Sequence, residues 1–180
     1  LNILPQKGIT GIVSMEYAKD LKEVWSKIPR PYPVDVGFVL LDRLPPPDLQ
    51  EIIDLENNYG FKIIGMKSFV DGTLGSRTAR MSSPYKDKKK SCGLFVEHAL
   101  ENNISGWLQS VKNLKKNAVF HAIGDEAFTK VLDFSESYSN IRIEHAQFIK
   151  DSDLKKLKGI HLGIQPLHLD IDHDEILLAL

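Results

Sequence analysis

The stretch FKIIGMKSFVDGTLGSRTAR, residues 61–80, decides how the rest of the chain is read. Its apolar run Phe61, Ile63, Ile64, Met66 suits a strand covered on both faces, as in a parallel sheet. Lys67 interrupts the run where such a sheet presents its C-terminal edge. Asp71-Gly72 and Gly75-Ser76 then force tight turns, so the loop folds back over the strand end. A lysine at such an edge can also be a snorkelling surface residue. Its meaning depends on what else the chain brings to the same edge.

Toward the N-terminus, residues 1–8 read as a helix end closing on Gly8, followed by a strand over 9–15. A helix over 16–28 follows, with Leu21, Val24, Trp25 and Ile28 on one face, until the proline-rich IPRPYP (28–33) ends it. Residues 34–41 form the next strand, and Pro45, Pro46 and Pro47 open a helix. Its face carries Leu49, Ile52, Ile53 and Tyr59, and Gly60 stops it. Toward the C-terminus, 82–93, with KDKKK at 86–90, reads as an exposed basic excursion. A helix over 106–116 precedes Ala118-Val119-Phe120, which runs straight into His121. A helix over 125–138 buries Ala127, Phe128, Val131 and Leu132, and Ile141 to Glu144 runs into His145. A short capped helix over 151–158 leads to a last strand over 160–165, then Pro166 and His168.

Strand and helix thus alternate about six times without a linker, the pattern of βα units around a parallel sheet. A closed (β/α)8 barrel needs about 250 residues. The chain of 180 therefore reads as one domain, 1–180: either an open sheet or a TIM barrel lacking its first and last units. With 42% hydrophobic and 26% charged residues and a net charge of −1, nucleic acid and acidic membrane surfaces are poor partners. No apolar run approaches bilayer length and no leader peptide opens the chain. A single cysteine, Cys92, excludes an internal disulfide and points to the cytoplasm. The chain begins at Leu1 and stops inside an apolar run over 176–180, so both ends read as cut.

Three successive strands end on a basic or metal-capable side chain: Lys67, His121 and His145. In parallel α/β architectures the C-terminal strand ends face one mouth, so these residues converge. Imidazole is a common ligand for zinc and related divalent metals, whereas a lysine ammonium must lose its charge to join them. Arg77 and His168 fall in loops at the same mouth and are candidate substrate contacts. Asp125 reads as a helix cap, Glu144 as structural, and His98, His161 and His173 as surface residues outside the strand-end phasing.

The motifs MKSFVDGTLGSRTA (66–79), HAIGDEA (121–127), RIEHAQ (142–147) and QPLH (165–168), in this order, resemble the YtcJ-like branch of the metal-dependent amidohydrolases. The resemblance implies a TIM barrel, present here as about six βα units, with a metal site at its C-terminal mouth. It also implies that Lys67 is carboxylated and bridges two metals, and that His121 and His145 are ligands from the next two strands. The family's His-x-His on the first strand and aspartate on the eighth have no counterpart here; Asp170, Asp172 and Asp174 come too soon after the last strand. The expected activity is hydrolysis of an amide or cyclic amide C–N bond in a small molecule by metal-activated water. The expected cofactor is zinc, one or two ions in the full-length enzyme, and the fragment alone is expected to be inactive. Two other readings compete: a Schiff-base lyase using Lys67, and a metal-free relic acting through binding or regulation. Substrate, metal and oligomeric state, homo-oligomer included, stay open.

Overall fold

Six strands, Gly11–Glu16 (β1), Asp35–Leu41 (β2), Ile63–Phe69 (β3), Asn117–Ala122 (β4), Ile141–His145 (β5) and His161–Gly163 (β6), run through the computed structural model, which describes residues 1–42, 48–135, 138 and 140–171. They pair in sequence order, every neighbour parallel, into one sheet that curls as half of a TIM-type barrel. Parallel neighbours require crossovers, and six helices supply or flank them: Ala18–Glu23 (α1), Leu49–Asn57 (α2), Glu97–Leu100 (α3), Ile104–Asn113 (α4), Asp125–Ser135 (α5) and His168–Ile171 (α6). No described helix is long and apolar enough to cross a membrane.

Side chains alternate across each strand, and the two faces do different work. Phe38, Leu40, Met66, Phe120, Ile141 and Ile143 face outward into the core against Leu21, Leu55, Trp107, Val111, Phe128 and Leu132 of the helices. The inner face carries Val13, Met15, Val39, Val119 and Arg142 around a cleft of about 220 Å³. Lys67 belongs to that face only because β3 slips by one residue. Phe38 pairs with Ile63 but Val39 pairs with Gly65, so Ile64 is an extra residue in the strand. Without it the parity set by Ile63 would send Lys67 toward the helices. Gly37 makes the slip fit, since a Cβ there would lie 2.9 Å from Ile64 Cδ1.

Several elements differ from the sequence reading. The helix expected over 16–28 is split into α1 and a 3-10 turn, Trp25–Lys27, and Val24 is exposed. Glu16 ends β1 instead, accepting a hydrogen bond from Trp25 Nε1 at 3.0 Å. In α2 the buried residues are Ile52 and Leu55, while Leu49 and Ile53 face solvent. Asp48 caps this helix, accepting from Glu51 N at 2.7 Å. Strand β3 continues two residues past Lys67, α4 starts two residues early, β6 is three residues long, and 151–156 forms a 3-10 helix. The prolines 45–47, His173 and the apolar run 176–180 lie outside the described residues.

The largest difference is the crossover after β3. Its lysine-rich tip is exposed, but Tyr85 within it is fully buried. Leu74, Ala79, Met81 and Tyr85 form a second small core with Ile123, against which Phe148 packs. The Tyr85 hydroxyl donates to Ala79 O at 2.6 Å. Gly93, at φ 76°, passes so close to this turn that a Cβ would sit 1.9 Å from Ala79 O. The excursion is a packed cap seated on the loops after β4 and β5.

Candidate active site

Alternation along β4 turns Val119 and His121 inward while Ala118, Phe120 and Ala122 face the helices. On β5 the same rule gives the inner face to Arg142 and Glu144, whose side chains pair with each other. His145 has the parity of Ile141 and Ile143 and would face outward in a regular strand. Its φ of 74°, followed by 46° at Ala146, breaks the strand there, in a region costly for non-glycine residues. Its ring ends 4.6 Å from the ring of His121, edge to face. Lys67 is 6% exposed, with Nζ 3.0 Å from Met15 Sδ and 5.1 Å from the centroid of Phe69. The Phe69 ring lies 5.0 Å from that of His121. The lysine and both histidines therefore gather at one end of the inner face.

The hydrogen bonds decide which imidazole nitrogens carry lone pairs. His121 Nε2 lies 3.0 Å from the carbonyl oxygen of Gly72, and His145 Nδ1 lies 2.9 Å from Gln165 Oε1. An oxygen acceptor requires an N–H donor, so the neutral rings hold their lone pairs on Nδ1 of His121 and Nε2 of His145. This is how metal-binding histidines are usually oriented, the second nitrogen being engaged by an outer oxygen. Burial lowers the pKa of His145 below its ordinary value. The Gln165 hydrogen bond opposes this and the Lys67 charge adds to it, so the ring is neutral at pH 7. Among the described residues no three His, Cys, Asp or Glu side chains form a metal-binding group. Each ring engages one nitrogen in these oxygen contacts, and the other nitrogen is the one that could hold a metal.

Asp71, which the sequence offers only as a turn residue, is 1% exposed behind His121. Its Oδ1 accepts from Ile123 N at 3.1 Å; its Oδ2 accepts from Gly124 N at 2.8 Å and Arg80 N at 2.9 Å. Burial outweighs these donors and raises its pKa to about 6. Its Oδ1 is also 3.7 Å from His121 Nε2. Gln165 was likewise missed as the partner of His145, although it opens the QPLH motif.

The two expected substrate contacts part company. His168 shares a pocket of about 230 Å³ with His145, Gln147, Ile164 and Gln165, and its Nδ1 accepts from Gln147 Nε2 at 2.9 Å. Arg77 is instead engaged by the cap: its Nε and Nη2 reach Asp87 Oδ2 at 2.8 Å and its Nη1 donates to Leu74 O at 2.7 Å. Asp125 is the first residue of α5 rather than its cap, the cap position falling to Gly124, and it accepts from Ser82 N at 2.7 Å, tying the excursion after β3 to the helix. Nor is His98 an ordinary surface residue. Its Nε2 pairs with Asp42 Oδ2 at 2.9 Å, and the Trp107 indole donates to the same oxygen.

A half-barrel of parallel strands with two oriented imidazoles and a buried lysine at its inner mouth has the makings of a metal-dependent hydrolase. The model of the amidohydrolase family matches residues 3–179, and the chain belongs to that family. It is 31% identical over 122 residues to Protein LONG AFTER FAR-RED 3 of Arabidopsis thaliana, covering 62% of this chain and 21% of that protein. It is 32% identical over 108 residues to the Bacillus subtilis protein named "Putative amidohydrolase YtcJ", covering 56% of this chain and 20% of that one. Among solved structures, an uncharacterized metal-dependent hydrolase from Pyrococcus furiosus superposes with a TM-score of 0.74 at 30% identity, over 95% of this chain and 37% of that one. The matched segments thus amount to about a fifth of the length of these curated relatives.

Proposed function

We propose that this chain carries metal-holding residues of an enzyme that hydrolyses an amide or cyclic amide C–N bond in a small molecule. The observation behind the reading is the matched orientation of His121 and His145, each giving its N–H to an oxygen beside a buried lysine. Lys67, once carboxylated, His121 and His145 would hold a divalent metal; zinc suits nitrogen and carboxylate-like oxygen donors. Such a metal polarises a carbonyl and brings the pKa of water near neutrality.

The chain's own residues prepare that site. Burial keeps His145 neutral, Gln165 holds its ring, and Gly72 O holds the ring of His121. His168, oriented by Gln147, reaches substrate from the pocket beside His145. Arg77 serves the cap rather than the substrate, because Asp87 and Leu74 O take up its guanidinium. We assign the activity to the full-length protein, since the chain spans 37% of the hydrolase it superposes on. The single cysteine, Cys92, supports a cytoplasmic setting.

The test is Lys67→Ala in the full-length protein, assayed against small acyclic and cyclic amides with zinc content measured in parallel. Most activity and one or both zinc ions should be lost, with partial recovery on adding a short carboxylic acid. Full zinc content at full rate would remove the lysine from the site. Trapping of Lys67 by borohydride with a ketone or aldehyde substrate would replace hydrolysis by Schiff-base chemistry.

A further inference from the structure

We infer that Asp71 is a positioning residue for the metal site: its carboxylate locks the loop after β3 to the turn after β4, and the locked unit sets the orientation of His121. The inference rests on reading His121 as a ligand. Both segments are close to the histidine in space, the turn after β4 also in sequence. Ile123 and Gly124 follow His121 within the HAIGDEA motif and donate their N–H groups to Asp71. Gly72, the next residue after Asp71, supplies the carbonyl that receives the His121 Nε2–H. The Val70 N–H donates to the His121 carbonyl at 3.0 Å. A rotation of the Gly72–Thr73 peptide, whose N–H is held by Thr78 Oγ1 at 3.0 Å, would therefore move the acceptor that fixes the tautomer and tilt of the ring.

The surroundings hold that peptide where it is. A Cβ on Gly72 would meet Thr78 Oγ1 at 2.0 Å, and one on Gly124 would meet Arg80 O at 2.0 Å. The segments touch backbone to backbone, and the carboxylate fills the position where three N–H groups from two loops converge. An ionised carboxylate has lone pairs for all of them, whereas an asparagine brings one oxygen and turns an NH2 toward a donor. The Asp71 Oδ1, 3.7 Å from His121 Nε2, also places negative charge beside the ring's N–H, which raises the basicity of its other nitrogen.

A purely structural clasp and a positioning residue differ in what Asp71→Asn does to folded protein. In the full-length protein, zinc affinity is measured by competition with a chromophoric chelator, alongside thermal melting of the zinc-free form. We expect zinc bound about 10- to 100-fold more weakly, the loss seen when outer partners of a ligand are removed, with the wild-type stoichiometry restored at saturating zinc. Unchanged affinity in a variant that melts lower makes Asp71 a clasp and overturns the inference. Should the variant not fold, the zinc-free wild type supplies the readout, because long-range 15N spectra report the protonated nitrogen of His121. Nε2–H supports the inference and Nδ1–H overturns it. His121→Ala separates this from failure of the underlying reading: if it binds zinc as tightly as wild type, His121 is no ligand and both fall together.

Discussion

His121 leans on backbone, whereas His145 leans on a single side chain. Behind His121 stand a carbonyl, a carboxylate taking three backbone N–H groups, and a cap with its own buried core. Behind His145 stands Gln165, on the segment that follows β6, a strand of three residues at the sheet edge. Backbone groups fixed at several points keep their places without a ligand, while a side-chain amide can turn once its neighbours loosen. One ligand position is thus built into the fold, and the other depends on the order of an edge. The left-handed backbone at His145 and Ala146 adds strain on that second side.

The sharpest way to break this asymmetry is a methyl group on either side. Gly124→Ala drives a Cβ to 2.0 Å from Arg80 O and 2.4 Å from its carbonyl carbon, and neither can move without parting the clasp. We expect a loss of more than about 3 kcal/mol in urea unfolding. On the other side, Gly163→Ala meets the ends of the Glu144 and Arg142 side chains, which can swing away, so roughly 1 kcal/mol is expected. Equal losses would erase the distinction.

The cap can be tested by pH. Burial, reinforced by the negative charge of Asp71, pushes the Tyr85 phenol up to about 12 from 10.0. Because the folded pKa is the higher one, the cap's contribution is complete below pH 10 and is lost as pH rises toward 12. A rise of that size is worth roughly 3 kcal/mol. Ultraviolet titration should find Tyr85 un-ionised when exposed tyrosines have already titrated. Ionisation near pH 10 would mean the cap is a loose excursion after all.

Gln165→Ala tests the side held by one contact. It should weaken zinc binding by about 10- to 100-fold while changing stability by no more than roughly 1 kcal/mol. A large stability loss would show that β6 is braced more firmly than this contact suggests. The smallest effect is expected at Arg77→Gln, which breaks a partly exposed pair with Asp87 worth under about 1 kcal/mol and should leave KM unchanged. A raised KM would return Arg77 to the substrate.

Much of this site was legible in the chain itself. The alternation of apolar strands and amphipathic helices implies a parallel sheet, and the phase of Lys67, His121 and His145 against it places them at one edge. Those are local signals, carried by spacing of two and of 3.6 residues, and four motifs in order tie them to the amidohydrolases. The outer partners were not legible, because none is set by spacing. Asp71 finds two of its three N–H donors 52 and 53 residues away, and Arg77 becomes a cap residue only when the chain turns Asp87 back against it.

Lys67 marks the boundary most clearly. Its identity and its place near a strand end follow from the sequence, but the face it points to does not. Strand parity counted from Ile63 sends it toward the helices, and the extra residue at Ile64 sends it inward. That extra residue exists because Gly37 on the neighbouring strand leaves room for Ile64. A side chain's period along one strand is a property of that strand, whereas register is a property of the pair, decided only when both strands are packed.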